Sequence, residues 1–242
     1  MIGGANLRGL SHMAENHMPS GLADQFRTLH EFVKAAKMRL SPEKWDYLVG
    51  AAETETTLKR NRQAIDTLGF RARVLRNVAD VDCSGTLFGK RMRLPVMIAP
   101  VGGLERFDAG GAATVAKAAA QFGVPLMVSS VSRPGLEPTA EAAQGRKFFQ
   151  LYVRGDLAWV DGFIERAVAA GYEAFCFTVD SAYYGRRERD IAKRVVMRSA
   201  IDPAGERFQA ALSWNHVKRF KELEGGMLRS GNACTFGDKL RI

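Results

Sequence analysis

Polar side chains recur at the ends of successive apolar runs in the middle of the chain. They are Ser129, Gln150, Tyr152, Thr178 and Asp180. Each has an ordinary structural explanation when taken alone, since a serine caps turns, a threonine favours strands and a tyrosine packs in cores. Taken together, they supply hydroxyls, an amide and a carboxylate, which would form one hydrogen-bonding site if the ends of the runs converge.

The elements that would bring these ends together are strands alternating with helices. The apolar runs cover residues 94–99, 124–128, 148–153 and 174–179, and helical segments at 110–122, 137–143 and 157–170 lie between them. Strands that are apolar on both faces and alternate with helices predict βα units in a parallel sheet.

Two α/β architectures are built from such units, and the position of the polar residues separates them. A doubly wound sheet would show a glycine fingerprint after its first strand, whereas the sequence there reads Pro100-Val101-Gly102-Gly103. In a closed (β/α)8 barrel of the TIM type, polar groups collect at the C-terminal ends of the strands. The pattern therefore favours a barrel, of which this chain provides about four βα units.

Four segments are predicted along the chain. Residues 1–24 are a loose extension, residues 25–90 a helical preface and lead-in, residues 91–221 the first four units with their fourth loop, and residues 222–242 an aberrant or unstructured tail. In the preface, residues 25–38 have helical spacing, and Ser41-Pro42-Glu43 opens a second helix.

Composition excludes several classes of protein. The three cysteines, Cys83, Cys176 and Cys234, have no metal-ligand or disulfide spacing, so no metal site is predicted. No apolar stretch is long enough to span a membrane and the first residues lack a signal-peptide core, which predicts a cytoplasmic protein. The net charge of +9 permits a nucleic-acid or anionic-lipid binder, but the charges are scattered, and the dense run at residues 186–198 also contains acidic residues. We expect no nucleic-acid partner, and nothing indicates a peripheral membrane contact.

Spaced motifs in one order carry a resemblance to a known family. They are the segments 47–53, 94–100, 129–130, 149–152, 178–180 and 185–190, together with Thr57 and Asn61-Arg62, and a weaker likeness resumes at Ala211-Leu212-Ser213-Trp214. In these segments the chain resembles the FMN-dependent 2-hydroxy acid oxidases and dehydrogenases, a family that includes glycolate oxidase, lactate oxidase and mandelate dehydrogenase.

The resemblance implies a role for each matching residue. Tyr47 and Tyr152 would hydrogen-bond a small 2-hydroxy acid, Arg187 would pair with its carboxylate, and Asp180 would orient a catalytic histidine. The polar edge of FMN would contact Ser129, Gln150 and Thr178. The backbone of Pro100, Val101 and Gly102 would pass close to flavin N5. Val101 departs from the Thr that the family usually has at this position, although a backbone contact does not depend on the side chain.

The expected histidine base is not found in a matching motif. The four histidines are His12, His17, His30 and His216, and none follows a predicted strand; His216 lies in a helical stretch and is expected at the surface. The family's lysine near flavin N1 and its phosphate-binding loops are not recognised either. We therefore expect a C-terminally truncated family member with little activity of its own.

Several alternatives remain open at this point. The chain could be a non-catalytic relic or interaction module, and its unclosed sheet predicts self-association. The preferred 2-hydroxy acid, the electron acceptor that reoxidises the flavin, the oligomeric state and the origin of the short C-terminus are not determined by the sequence.

Overall fold

The computed structural model describes residues 26–194 and 203–224. The chain divides into two compact units, residues 1–41 and 42–242. The predicted extension at residues 1–24 lies outside the described residues, and so does the predicted tail except for residues 222–224, which end the last helix.

In the first unit, helix α1 spans Leu29–Arg39, close to the predicted helix at residues 25–38. Its start is capped locally, because the Glu31 carboxylate accepts a hydrogen bond of 3.0 Å from the Thr28 backbone N–H. The rings of Phe26 and Phe32 stack at 4.2 Å between centroids.

The second unit opens with helix α2 at Pro42–Val49, as the Ser-Pro start signal predicts, and helix α3 at Thr56–Asp66. A hairpin of strands β1 (Gly85–Leu87) and β2 (Lys90–Met92) follows. Its two turn residues, Phe88 and Gly89, both have positive φ, as a tight antiparallel hairpin requires. The Phe88 ring meets the edge of Phe148, so the hairpin covers one end of the main sheet.

The main sheet has three parallel strands in the order β3 (Leu126–Ser129), β4 (Lys147–Leu151) and β5 (Ala174–Phe177). Helices α4 (Gly111–Phe122), α5 (Leu136–Ala142) and α6 (Leu157–Ala169) occupy the predicted positions. Helices α7 (Glu188–Ala192), α8 (Pro203–Ala210) and α9 (Trp214–Glu224) come after β5. The predicted alternation of strands and helices is therefore present from α4 onward.

The strand predicted at residues 94–99 is wrong in extent, since only Ile98 makes a bridge, to Leu126 of β3. Pro95 lies within this segment and Pro100 follows it, and neither has the N–H group that a ladder needs. Within the described residues the segment has a strand neighbour on one side only. For these two reasons the segment forms ladder bonds only through Ile98. Its N–H donates to the Pro125 carbonyl at 3.0 Å, and its carbonyl accepts from the Met127 N–H at 3.0 Å.

The two faces of the sheet differ. One face packs on the helices through a continuous apolar core that contains Leu151, Phe149 and Phe175. The other face is apolar near the hairpin, where Met127, Phe148 and Cys176 cluster. Two residues further along each strand, the same face carries Ser129, Gln150 and Thr178. Strand alternation thus places the predicted polar residues together at the C-terminal edge of the sheet.

Candidate functional site

A hydrogen-bonded row of three side chains crosses the C-terminal edge of the sheet. The Ser129 hydroxyl donates to Gln150 Oε1 at 2.8 Å, and Gln150 Nε2 donates to the Thr178 hydroxyl. Ser129 and Gln150 are each only 2% exposed, and the parallel register pairs them directly. We call these three residues the polar row. Its members keep unused capacity, namely the hydroxyl hydrogen of Thr178 and the second amide hydrogen of Gln150.

Tyr152 comes directly after β4, two residues beyond Gln150, and its hydroxyl is a hydrogen-bond donor at neutral pH. Its backbone N–H bonds to the Ser130 hydroxyl at 3.1 Å, which fixes the chain where it leaves the strand. Burial, and after it the nearby Tyr184 and Asp180, raises the pKa of Tyr152. Tyr47 acts in the same direction, so both predicted substrate tyrosines share one electrostatic environment with Asp180.

Arg187 is bonded both to the C-terminal end of helix α2 and to Asp190 on helix α7. Its Nη2 donates to the carbonyl oxygens of Tyr47 at 2.5 Å and Gly50 at 3.1 Å, and its Nε donates to Asp190 at 3.1 Å. The guanidinium also lies 4.8 Å from the centroid of the Tyr47 ring, a cation–π contact. We call Tyr47, Arg187 and Asp190 the arginine clamp. No hydrogen bond of Arg187 Nη1 occurs within the described part of the chain, so this nitrogen can still receive a carboxylate.

Ion pairs outside the arginine clamp hold helices α2 and α3 against the segment after β5. They join Glu53 to Arg186, Glu55 to Arg189, and Asp46 to both Arg189 and Lys193. The Arg186 backbone N–H, followed by its side chain, lowers the pKa of the Glu53 carboxyl. The Arg189 side chain is the main cause of the lowered pKa of Glu55. These pairs bring residues more than 130 positions apart in sequence into contact.

Asp180 is exposed and accepts a hydrogen bond of 3.1 Å from the Ser181 hydroxyl. Among the described residues it has no histidine partner. His30 belongs to the first unit. His216 is half-buried rather than at the surface, and its Nδ1 lies 2.9 Å from the Ser213 hydroxyl at the start of α9. The predicted histidines His12 and His17 lie outside the described residues.

The segment Pro100–Gly102 runs beside the residues that follow β3. Gly103 N–H bonds to the Val131 carbonyl at 3.2 Å. A Cβ atom built on Gly102 would lie 2.6 Å from Val131 Cγ2, so a larger residue would require the Val131 side chain to shift. Val101 is half-exposed, with its N–H bonded to the Ala99 carbonyl at 2.9 Å. The predicted backbone contact region therefore lies next to the strand that carries Ser129.

Sequence reasoning missed Gln209 on helix α8. This side chain is 4% exposed, accepts from the Val153 N–H at 2.7 Å, and donates to the Thr178 carbonyl at 2.5 Å. It therefore joins the ends of β4 and β5 next to Tyr152 and the polar row. The only signal in the sequence was its place directly before the Ala211–Trp214 likeness.

The described residues contain neither a metal-binding cluster nor a membrane-spanning helix. No group of three or more His, Cys, Asp or Glu side chains there is arranged to hold a metal ion. Within the same residues, every helix is too short or too polar to cross a membrane.

The chain is similar to proteins of one family over most of its length. The profile of the family described as FMN-dependent dehydrogenase matches residues 36–230. Glycolate oxidase 1 from Oryza sativa subsp. indica is 38% identical over 167 residues, which is 69% of this chain and 45% of that protein. L-lactate dehydrogenase from Bartonella tribocorum is 41% identical over 160 residues, or 66% of this chain and 42% of that protein. The chain thus spans about half the length of the curated relatives it matches.

Solved structures give the same result for the fold. A mandelate oxidase with benzoyl-formic acid matches with a TM-score of 0.72 and 34% identity, covering 80% of this chain and 57% of that one. A soluble mutant of the membrane-associated (S)-mandelate dehydrogenase from Pseudomonas putida has a TM-score of 0.73 and 26% identity, covering 80% and 60%. The predicted family and its barrel type of fold are confirmed. Within the described residues the strands form an open sheet and not a closed barrel.

Proposed function

Because the chain belongs to the FMN-dependent dehydrogenase family, we propose that it carries the flavin-ring and substrate contacts of an enzyme that oxidises an L-2-hydroxy acid to a 2-oxo acid. The proposal depends chiefly on the polar row, whose Ser129 and Gln150 are buried at the C-terminal edge of the sheet. Tyr152 lies two residues after Gln150 along the chain. Barrel enzymes place their active sites at this edge.

The residues present fit the polar edge of an isoalloxazine ring. That edge offers carbonyl acceptors and one N–H donor, and the polar row offers the Thr178 hydroxyl, a free amide hydrogen of Gln150 and the second lone pair of Gln150 Oε1. When bound, FMN would supply the two-electron acceptor that this side-chain set lacks.

The arginine clamp and Tyr152 would orient the substrate. Arg187 would pair with its carboxylate through Nη1, since the other two nitrogens of the guanidinium are already engaged. Tyr152 would donate its hydroxyl hydrogen, since a tyrosine is protonated at neutral pH and burial raises its pKa further. Tyr47 is held by Arg187 on the same side of the site. These contacts would place the hydroxyl-bearing carbon toward the polar row.

The described residues provide no base that would accept the proton removed from the substrate. Asp180 would orient and stabilise a histidine, but none of the described histidines contacts it. We therefore propose that the 242-residue chain binds flavin through the ring and turns substrate over slowly or not at all.

A two-stage titration tests this proposal. Purified chain is titrated with FMN while the flavin absorbance is followed, and L-lactate, glycolate or mandelate is then added without oxygen. We expect an absorbance shift without rapid bleaching. Rapid bleaching would show that a base is present, and the absence of any shift at millimolar FMN would contradict the proposed ring site.

The sheet also supports the predicted self-association. Among the described residues β5 has no strand partner on its outer side, and Phe177, Val179 and Trp214 line an apolar groove of about 330 Å³ beside it. We propose that a second copy covers this groove, because open strand edges pair readily. Sedimentation velocity should show dimers or larger species, and a single monomer at tens of micromolar protein would contradict this.

A further inference from the structure

Arg154 lies near Tyr152 at the edge of the site but makes none of the contacts described above. It follows Tyr152 by two positions, and side chains alternate between faces along an extended chain. Leu151 and Val153 belong to the helix-facing core, whereas Phe148 lies on the opposite face and Gln150 belongs to the polar row. Arg154 therefore falls on the same side as Gln150 and Tyr152.

The Arg154 side chain is half-buried, and its guanidinium has no hydrogen bond or ion pair with any of the described residues. Its Nε is buried, and no hydrogen bond reaches it. Eight arginines among the described residues of this unit pair with carboxylates; they are Arg62, Arg91, Arg146, Arg166, Arg186, Arg187, Arg189 and Arg219. Leaving a buried N–H of a charged group unpaired is costly, so such a group is expected to meet an anion in the functional state.

The charge of Arg154 acts on the substrate tyrosine. The pKa of Tyr152 is raised chiefly by burial, and Arg154 is the neighbour that opposes this rise. Arg187, by contrast, is held by the arginine clamp and has one nitrogen left for the carboxylate common to all 2-hydroxy acids. The site thus carries more cationic charge than the one guanidinium that a simple 2-hydroxy acid needs, since Arg154 and Arg106 accompany Arg187. Arg106 lies 5.4 Å from the centroid of the Tyr47 ring.

We propose that Arg154 is a specificity-determining residue that binds a second carboxylate, carried by the side chain of a dicarboxylic 2-hydroxy acid. The inference rests on the proposed function, since it assumes that Arg187 receives the first carboxylate. A planar guanidinium suits a carboxylate because two parallel N–H groups can meet its two oxygens.

Ligand-observed NMR on the FMN-supplemented 242-residue chain tests this assignment. Dissociation constants are measured for L-malate, which has a second carboxylate, for L-lactate, which has a methyl group instead, and for succinate, which lacks the hydroxyl. We expect malate to bind about tenfold more tightly than lactate, as one charge-assisted contact provides.

Two variants distinguish a local contact from an effect of total charge. Arg154→Gln should abolish the preference for malate and leave lactate binding unchanged. Arg91→Gln removes the same charge from the hairpin, where Arg91 pairs with Asp82, and should keep the preference. A preference that also disappears in Arg91→Gln would overturn the assignment, because it would reflect net charge.

The remaining outcomes separate this inference from the proposed function. Equal binding of lactate and malate, unchanged in Arg154→Gln, would refute the role of Arg154 and leave the 2-hydroxy acid site intact. Binding of succinate but of neither 2-hydroxy acid would refute both. Binding of none of the three ligands would also refute both.

Discussion

The polar row and the arginine clamp lie at the same edge of the sheet, but different forces position them. The polar row is set by strand register, its Ser129 and Gln150 side chains are nearly inaccessible to solvent while Thr178 is half-buried, and its hydrogen bonds run between neighbouring strands. The arginine clamp joins a helix near the start of the second unit to the segment after β5, with a partly exposed Arg187 and a surrounding set of surface ion pairs.

This difference has a physical consequence for function. Buried hydrogen bonds are costly to break, whereas surface ion pairs are screened by water and salt. Under the proposed function, the polar row would therefore keep the cofactor fixed while the arginine clamp opens to exchange the substrate. Ligand exchange would occur at the arginine clamp.

The largest effect is expected from Gln150→Leu. The substitution keeps the side-chain volume but leaves the hydroxyls of Ser129 and Thr178 without their partner, and we expect the free energy of unfolding to fall by about 3 kcal/mol. Urea denaturation measures this loss. The exposed Gln144 provides the control, since Gln144→Leu should change stability little. Equal losses for the two variants would mean that the polar row is no more firmly held than the surface.

Gln209→Leu should have the next largest effect. It leaves the Val153 N–H and the Thr178 carbonyl unpaired in a buried position, which should cost about 2 kcal/mol in the same denaturation experiment. Asn215→Leu on the exposed side of α9 is the control. If Gln209→Leu is neutral, α8 does not hold the ends of the strands.

Arg187→Gln should cost less, about 1 kcal/mol. The guanidinium makes several bonds, but it is 28% exposed, so water and the glutamine amide can replace part of them; the Asp190 side chain, 11% exposed, is the partner left largely buried. A double-mutant cycle with Asp190→Asn should show a positive coupling energy. Arg60→Gln, on the exposed surface of α3, is the matched control. A loss as large as that of Gln150→Leu would remove the distinction between the two regions.

The smallest expected effect is that helices α2 and α3 lose protection from hydrogen exchange in acid before the sheet does. The folded-state pKa values of Asp46, Glu53 and Glu55 are lowered by Lys193, Arg186 and Arg189 respectively. These carboxylates therefore stabilise the fold above about pH 4, and the contribution is lost as the pH falls through their lowered values. Hydrogen exchange, corrected for intrinsic rates, should show α2 and α3 losing protection before β4. Simultaneous loss in all three elements would contradict independent anchoring.

The polar row could be anticipated from the sequence, while most of the arginine clamp's support could not. Ser129, Gln150 and Thr178 follow from strand alternation, which is a local property. The ion pair of Glu53 with Arg186 depends on tertiary proximity that no local pattern encodes. The β1–β2 hairpin was missed because strands of three residues are too short to show a period. Helix α3 was missed because only Leu58, Ala64 and Ile65 of its eleven residues are apolar, too few to show a helical period.

A buried threonine outside the site shows how the polar row can be tested without general damage to the fold. Thr139 on α5 is fully buried, and its hydroxyl has no hydrogen-bond partner. Thr139→Val and Thr178→Val make the same chemical change at two places, one remote from the polar row and one within it. Thr139→Val should be neutral or slightly stabilising, because it removes an unpaired buried hydroxyl.

The central claim is that the polar row binds the flavin ring, and its most direct test is an FMN titration of the wild-type chain, Thr178→Val and Thr139→Val, followed by flavin absorbance. We predict that Thr178→Val weakens binding about tenfold, as loss of one ring contact would, while Thr139→Val binds like the wild type. Identical affinities for all three chains, or no binding by the wild type, would contradict the account.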